Sequence, residues 1–189
     1  PNLEFFDRSI LKLFKYWFNP SFLVLENIDW TTPANILEKI IAYEAVHEIN
    51  SWEDLRARLA PMDRRCFAFF HPLIPNEPLI FVEVALNKNM PESINEIIKI
   101  DRSVTLDQDI NTAIFYSISN CQEGLSGISF GNFLIQKVAH KLRQENDSLD
   151  TFATLSPVPG FANWLDKKPI DEYQDEDALL KQALIYLLK

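Results

Sequence analysis

At 189 residues, 47% of them apolar and 24% charged, the chain suits one domain with a substantial core, or one domain plus a helical extension. A net charge of −9 argues against a general nucleic-acid binder but leaves room for a local basic patch that receives a phosphorylated small molecule. No run of about 18 uncharged apolar residues occurs, so no transmembrane helix and no membrane partner are expected, and no signal peptide is visible.

Residues 3–18 place Phe6, Ile10, Leu13, Phe14 and Trp17 at helical spacing, an amphipathic helix ended by Asn19-Pro20. Residues 21–32 read as an irregular or strand-like connection. Thr32-Pro33 opens a helix over 33–42 with proline in its first turn. Ser51, followed by Glu53 and Asp54, caps a short helix over 52–60. Cys66–Phe70 and Leu79–Leu86 are apolar runs that read as neighbouring strands, and the prolines of HPLIPNEP between them forbid continuous structure. Residues 87–109 are polar, with a short helix around 93–98. Ala113–Ser119 and Thr151–Leu155 are further strands, joined by a helix over 131–145 whose Leu134, Ile135, Val138, Ala139 and Leu142 form one apolar stripe. Residues 166–177 read as a solvated acidic linker, and Leu179–Leu188 begins another helix. The expected fold is mixed α+β: a helical part over 1–60, then a sheet domain over 61–189. Pro1 in first place and an apolar helical run still open at Lys189 make the chain read as a piece of a longer protein.

Three of the four glycines, Gly124, Gly127 and Gly131, fall between a strand and the best helix. The first turn of a helix offers unpaired N–H groups and a partial positive charge, and glycine lets an anion come close to them. The spacing matches neither a Walker loop nor a dinucleotide fingerprint, which leaves a pyrophosphate such as that of coenzyme A open. A plain turn with no ligand is the alternative, and composition does not decide between them. Ser156, in TLSPVPG, directly follows a strand, and two prolines fix the backbone after it. It lacks the Gly-x-Ser-x-Gly elbow of a hydrolase nucleophile, and an ordinary turn would explain it too. His47, His71 and His140 have no metal-ligand spacing and read as structural or solvated. No metal site is expected. Cys66 and Cys121 read as buried thiols of a reducing compartment. Glu83 is either a buried carboxylate or an acid on a wet strand face. Arg64-Arg65 either receives a phosphate or marks a surface junction.

FYSISNCQEGLSGISFGNFLIQKV and FATLSPVPGFANWL closely resemble the malonyl-CoA decarboxylases, and YEAVHEINSWEDLRARL and RRCFAFFHPLIPNEPLIFVEVAL also fit that family. The resemblance covers nearly the whole chain. It implies a helical domain joined to a GNAT-type, acyl-CoA N-acyltransferase-like catalytic domain, which converts malonyl-CoA to acetyl-CoA and carbon dioxide without a cofactor. By that similarity Ser126, Gly127, Ile128, Ser129, Phe130, Gly131 and Asn132 cradle the coenzyme A diphosphate through backbone N–H groups, and Ser156 is catalytic. The family pairs this serine with a histidine in a downstream segment that nothing here matches, and His47, His71 and His140 do not occupy its place. The resemblance further implies a homo-oligomer, and a cytoplasmic location unless a mitochondrial or peroxisomal signal lies outside the chain. An acyl-CoA-dependent acyltransferase and a non-catalytic coenzyme A-binding module are the competing functions.

Overall fold

The computed structural model describes residues 2–125, 127–160 and 163; Ser126, the acidic stretch 166–177 and the expected helix 179–188 lie outside them. The chain divides into two compact units, Pro1–Ser156 and Pro157–Lys189. In the second, the described residues are 157–160 and 163, with Gly160 in the left-handed region at φ 77°.

The first unit opens with helix α1 (Asn2–Trp17) and a 3-10 turn capped by Asn19, whose side chain accepts from the Ser21 amide. Strand β1 (Val24–Ile28) follows, then α2 (Ala34–Tyr43) and α3 (Trp52–Leu59). Pro33 stands at the cap position of α2, one residue earlier than expected, and the Thr32 hydroxyl accepts from the Asp29 amide instead. Ser51 caps α3 as expected, its hydroxyl accepting from Asp54 N at 3.1 Å.

The remaining elements are β2 (Arg64–His71), β3 (Ile74–Asn87), α4 (Ile94–Ile98), β4 (Thr112–Asn120), α5 (Gly131–Glu145) and β5 (Thr151–Thr154). The five strands form one sheet in the order β1-β2-β3-β4-β5. All neighbours are antiparallel except β4 and β5, which run parallel because α5 carries the chain back across the sheet. The sheet takes in part of the segment 1–60, which the sequence reads as the end of a helical domain and a linker: β1 is its first strand, and α2 and α3 cover one of its faces.

Both faces are buried, which is why the strands read as near-continuous apolar runs. Successive side chains alternate between them. Phe67 and Phe69 of β2 join Ile80, Val82, Val84 and Phe115 beneath Leu134, Val138 and Leu142 of α5. Cys66, Ala68 and Phe70 face the other way, against Ile36, Leu37 and Ile40 of α2 and Leu55 and Leu59 of α3. Burying each such large side chain contributes about 1.5–3 kcal/mol.

The expectation that HPLIPNEP forbids continuous structure is wrong. β3 begins at Ile74 and runs through Pro75 and Pro78. Its ladder to β4 starts at Ile80↔Asn120, with Leu79 O accepting from Cys121 N just before it, so residues 74–78 have backbone pairing on the β2 side alone. The β2 register also slips between Phe69 and His71, where Pro78 stands opposite Phe70. An irregular edge tolerates a residue without an N–H, and both prolines lie in it.

Candidate functional site

Strands β4 and β5 pair from Thr112↔Thr151 to Phe115↔Thr154 and share a last rung, Leu155 N donating to Phe115 O at 2.9 Å. Beyond it β4 continues to Asn120 on β3 alone, so the two parallel strands part at their C-terminal ends. The parting coincides with an irregularity: Glu83 pairs with Ser117 and Val84 with Phe115, leaving Tyr116 as the extra residue. Ser156, one residue past the last rung, is exposed there. The other strand of the pair leads into the glycine turn. Ligands of parallel sheets bind outside the carboxyl ends of the strands, and the crossover through α5 sets both sequence signals at that one edge.

After β4 the chain makes a 3-10 turn over Glu123–Leu125, with Leu125 N donating to Gln122 O at 3.1 Å. Gly127 follows at φ 90°, a conformation that favours glycine. Phe130 holds the cap position of α5 in helical conformation, so no side chain caps the helix, and no acid stands in its first turn. The first bond into the helix is Leu134 N to Phe130 O at 2.9 Å, which leaves the amides of Gly131, Asn132 and Phe133 turned outward. A methyl group at Gly131 would meet none of the described residues within 4 Å beyond its own helix turn, so packing among them does not explain that glycine. Of the expected diphosphate residues, Phe130 is buried in the core and Ile128 packs against it, so each offers only backbone; Ser129 and Asn132 are exposed. Ser126 lies outside the described residues.

Between the turn and the end of β4 lies a cavity of about 200 Å³, walled by Leu79, Leu125, Ile128 and Phe130 together with Asn120 and Gln122. Behind Gln122 sits a cluster the sequence did not reveal. Glu77 on β3 accepts from Lys39 Nζ and from Tyr43 Oη (2.8 Å) on α2, and from Gln122 Nε2 (2.9 Å). Gln122 Nε2 also reaches Pro78 O at 3.3 Å. Burial alone would raise the Glu77 carboxyl, but these donors outweigh it and hold its pKa below the usual carboxylate value. The same pair pushes the Tyr43 phenol up.

The histidines are structural or solvated. His71 Nδ1 accepts from Leu73 N at 3.2 Å and its ring meets Phe18 edge-on. His140 is exposed on α5, 3.1 Å from the Gln144 amide. His47 is half-buried, with Nε2 3.1 Å from Tyr116 O, one residue beyond the Leu155 rung. Neither arginine of the Arg64-Arg65 pair is spare. Arg64 is buried and donates to Asp63 O and Ile97 O, while Arg65 donates to Met62 O and Arg64 O and pairs with Glu145. Glu83 is the buried carboxylate of the two alternatives, paired with Arg58 at 3.1 Å. Glu44, also buried, accepts from Ser117 Oγ and from the amides of Val46 and His47, fastening the α2–α3 connection to β4. Burial pushes the thiols of Cys66 and Cys121 up, which suits inert packing groups. Among the described residues no three His, Cys, Asp or Glu side chains are grouped to hold a metal ion, and no helix is long and apolar enough to cross a membrane.

The family model of the malonyl-CoA decarboxylase C-terminal domain matches residues 21–188. The mitochondrial malonyl-CoA decarboxylase of Anser anser anser is 41% identical over 167 residues, covering 87% of this chain and 33% of that protein. The Mus musculus enzyme of the same name is 38% identical, covering 87% of this chain and 34% of that protein. The crystal structure of malonyl-CoA decarboxylase from Agrobacterium vitis superposes with a TM-score of 0.83 at 56% identity, covering 90% of this chain and 43% of that one. The Rhodopseudomonas palustris structure gives 0.81 at 56% identity, covering 93% and 43%. The chain thus shares its mixed α+β fold with those structures, and it spans about a third of the length of the curated relatives it matches.

Proposed function

The chain belongs to the malonyl-CoA decarboxylase family, and from that premise we propose that it carries the coenzyme A-binding and serine-bearing part of an enzyme that converts malonyl-CoA to acetyl-CoA and carbon dioxide. One observation carries the proposal. The uncapped N-terminus of α5 and the exposed Ser156 stand at the same, C-terminal edge of the β4–β5 pair, at the point where those strands part.

Coenzyme A presents two kinds of group to such an edge. Its diphosphate is an anion and suits the outward amides of Gly131 and Asn132, with the backbone of Gly127, Ile128, Ser129 and Phe130 completing the cradle. Ser126 is assigned to the cradle by family resemblance alone. The open space above Gly131 supports this assignment, because a side chain there would stand where a phosphate approaches. Its thioester end belongs at the parting, beside Ser156.

Loss of carbon dioxide breaks the bond between the carboxylate and the α-carbon. The electron pair passes into the thioester carbonyl as an enolate, and a proton then adds to the α-carbon. The protein must hold the carboxylate out of the carbonyl plane, stabilise the enolate oxygen and deliver that proton. One well-placed donor to such an oxyanion is worth on the order of 3 kcal/mol. Ser156 hydrogen-bonds the departing carboxylate or relays the proton, and the family's downstream histidine is the acid. His47, His71 and His140 are not given that role. The reaction needs no electron sink beyond the thioester itself. Self-association and a cytoplasmic location belong to the proposal as well; the relatives named above as mitochondrial make cell fractionation the check on the latter.

The test is turnover of malonyl-CoA by the full-length enzyme with its downstream histidine, read as carbon dioxide and acetyl-CoA. Ser156→Ala should lower turnover at least a hundredfold while coenzyme A affinity stays within about twofold. Turnover retained in that variant would remove Ser156 from the mechanism.

A further inference from the structure

The cavity below the glycine turn is bordered by one side chain whose orientation is forced. Glu77 is a carboxylate and Pro78 O is a carbonyl, so both can only accept hydrogen bonds. The Gln122 amide must therefore turn its NH2 toward them. Its carbonyl oxygen is thereby turned away from Glu77 and Pro78 and accepts from no described residue, and Gln122 lines the cavity. Leu79, Leu125, Ile128 and Phe130 supply its apolar walls, and the exposed Asn120 and Glu123 also line it. Apolar walls with one acceptor whose orientation is fixed suit a methylene chain carrying an amide N–H.

We infer that Gln122 is a ligand-binding residue that accepts an amide N–H of the pantetheine arm of coenzyme A, and that Glu77 is the positioning residue that turns its carboxamide. The inference rests on the coenzyme A reading above and specifies where the arm runs: from the diphosphate at the start of α5, past the end of β4, toward the parting at Ser156. The charge on Glu77 does not oppose the diphosphate, because Lys39 pairs with it on the side away from Gln122 and Asn76 O fixes that ammonium at 2.8 Å. Glu77 thus orients a neutral dipole toward the ligand and keeps its own charge occupied on α2.

The experiment compares two ligands by calorimetry on the full chain: coenzyme A, and 3′-phosphoadenosine 5′-diphosphate, which keeps the phosphates and lacks the arm. Gln122→Met preserves the volume and removes the acceptor. It should weaken coenzyme A about tenfold and leave the nucleotide unchanged. Glu77→Gln lets the Gln122 amide turn over and should weaken coenzyme A in the same selective way by a few-fold. Equal loss of both ligands would mean that the cluster only shapes the turn, and unchanged coenzyme A affinity would mean that Gln122 makes no contact; either result overturns the inference while the coenzyme A reading stands. A wild-type chain that binds neither ligand overturns the coenzyme A reading and this inference together.

Discussion

Arg58 Nη1 on α3 lies 3.1 Å from Oε2 of Glu83 on β3, and the other oxygen of that fully buried carboxylate has no hydrogen-bond partner among the described residues. The same guanidinium donates to His47 O at 2.8 Å and to Glu48 O at 3.0 Å. One arginine thus neutralises a buried acid and ties the α2–α3 connection to the sheet. The Tyr116 hydroxyl, on the extra residue of β4, is the second buried polar atom without a partner among the described residues. Polar groups left in that state mark a region held for its geometry rather than for maximal stability.

Removing the arginine exposes that cost. Arg58→Met takes away the charge that holds the Glu83 carboxyl down, so that the buried acid must take up a proton at pH 8, and leaves two backbone carbonyls with no donor; unfolding free energy should fall by about 3–5 kcal/mol. Adding Glu83→Gln should recover the part of the loss that comes from neutralising the acid, since no group then has to take up a proton to stay buried. Urea unfolding of the two variants decides it, and a double variant no more stable than Arg58→Met would refute the charge argument.

Glu83 also predicts a pH dependence. Burial raises its carboxyl to about 7, against the opposing pull of Arg58 and with a further push from Glu44; the nearby Tyr116 hydroxyl offsets part of it. Between the ordinary value of 4.5 and about 7 the folded chain keeps a proton that the unfolded chain has lost. Stability contributed by this group therefore falls as pH rises across that window, by about 3 kcal/mol, and is level above it. The wild-type minus Glu83→Gln difference in urea stability, followed from pH 4 to pH 8, should carry this slope. A difference that does not change with pH would exclude it.

The two glycines of the turn should respond oppositely to alanine. Gly127 sits at φ 90°, where an L residue costs about 1–2 kcal/mol, so Gly127→Ala should lower Tm. Gly131 is helical and has room, so Gly131→Ala should hold Tm or raise it, because alanine favours helix by up to about 1 kcal/mol. Coenzyme A affinity should nonetheless drop in Gly131→Ala, as the methyl group stands over the outward amides. Thermal unfolding paired with calorimetry separates the two. Unchanged affinity in Gly131→Ala would take away the case for a phosphate at that position.

Helices α3 and α5 were legible because local signals fix them: Ser51 with its first-turn acids, and the Leu134–Val138–Leu142 stripe. The turn and Ser156 were legible as residues, but their meeting at one edge depends on β4 and β5 being parallel neighbours, which no local pattern encodes. Proline reads as a breaker, which shortens β3 in the sequence, whereas the edge position makes Pro75 and Pro78 harmless. The Glu77 cluster joins residues 39, 43, 77 and 122, and the Glu83 cluster joins residues 58 and 83 across two elements. Sequence spacing carries no trace of such contacts, so Glu83 is ambiguous in the sequence and only the placement of Arg58 on α3 decides it.

Asp63 supplies the opposite pH behaviour to Glu83 and so a control on it. Its carboxylate is fully buried before β2, clasped by both terminal nitrogens of Arg102 at 2.6 and 2.9 Å and by the Thr105 amide at 2.8 Å, with Arg64 at 3.5 Å. Burial alone would raise its pKa, but the Arg102 hydrogen bonds, the Thr105 amide and the Arg64 charge prevail and hold it below the usual 3.8. The stability this site contributes is therefore complete above pH 4 and is lost as pH falls through the depressed value. Arg102→Ala removes the paired bonds that anchor the segment after α4, and should cost about 3 kcal/mol at pH 7. That deficit should shrink below pH 4, as protonation of Asp63 begins to weaken the wild-type clasp too. A deficit that holds constant down to pH 2.5 would show that Arg102 acts by packing its stem and not by charge.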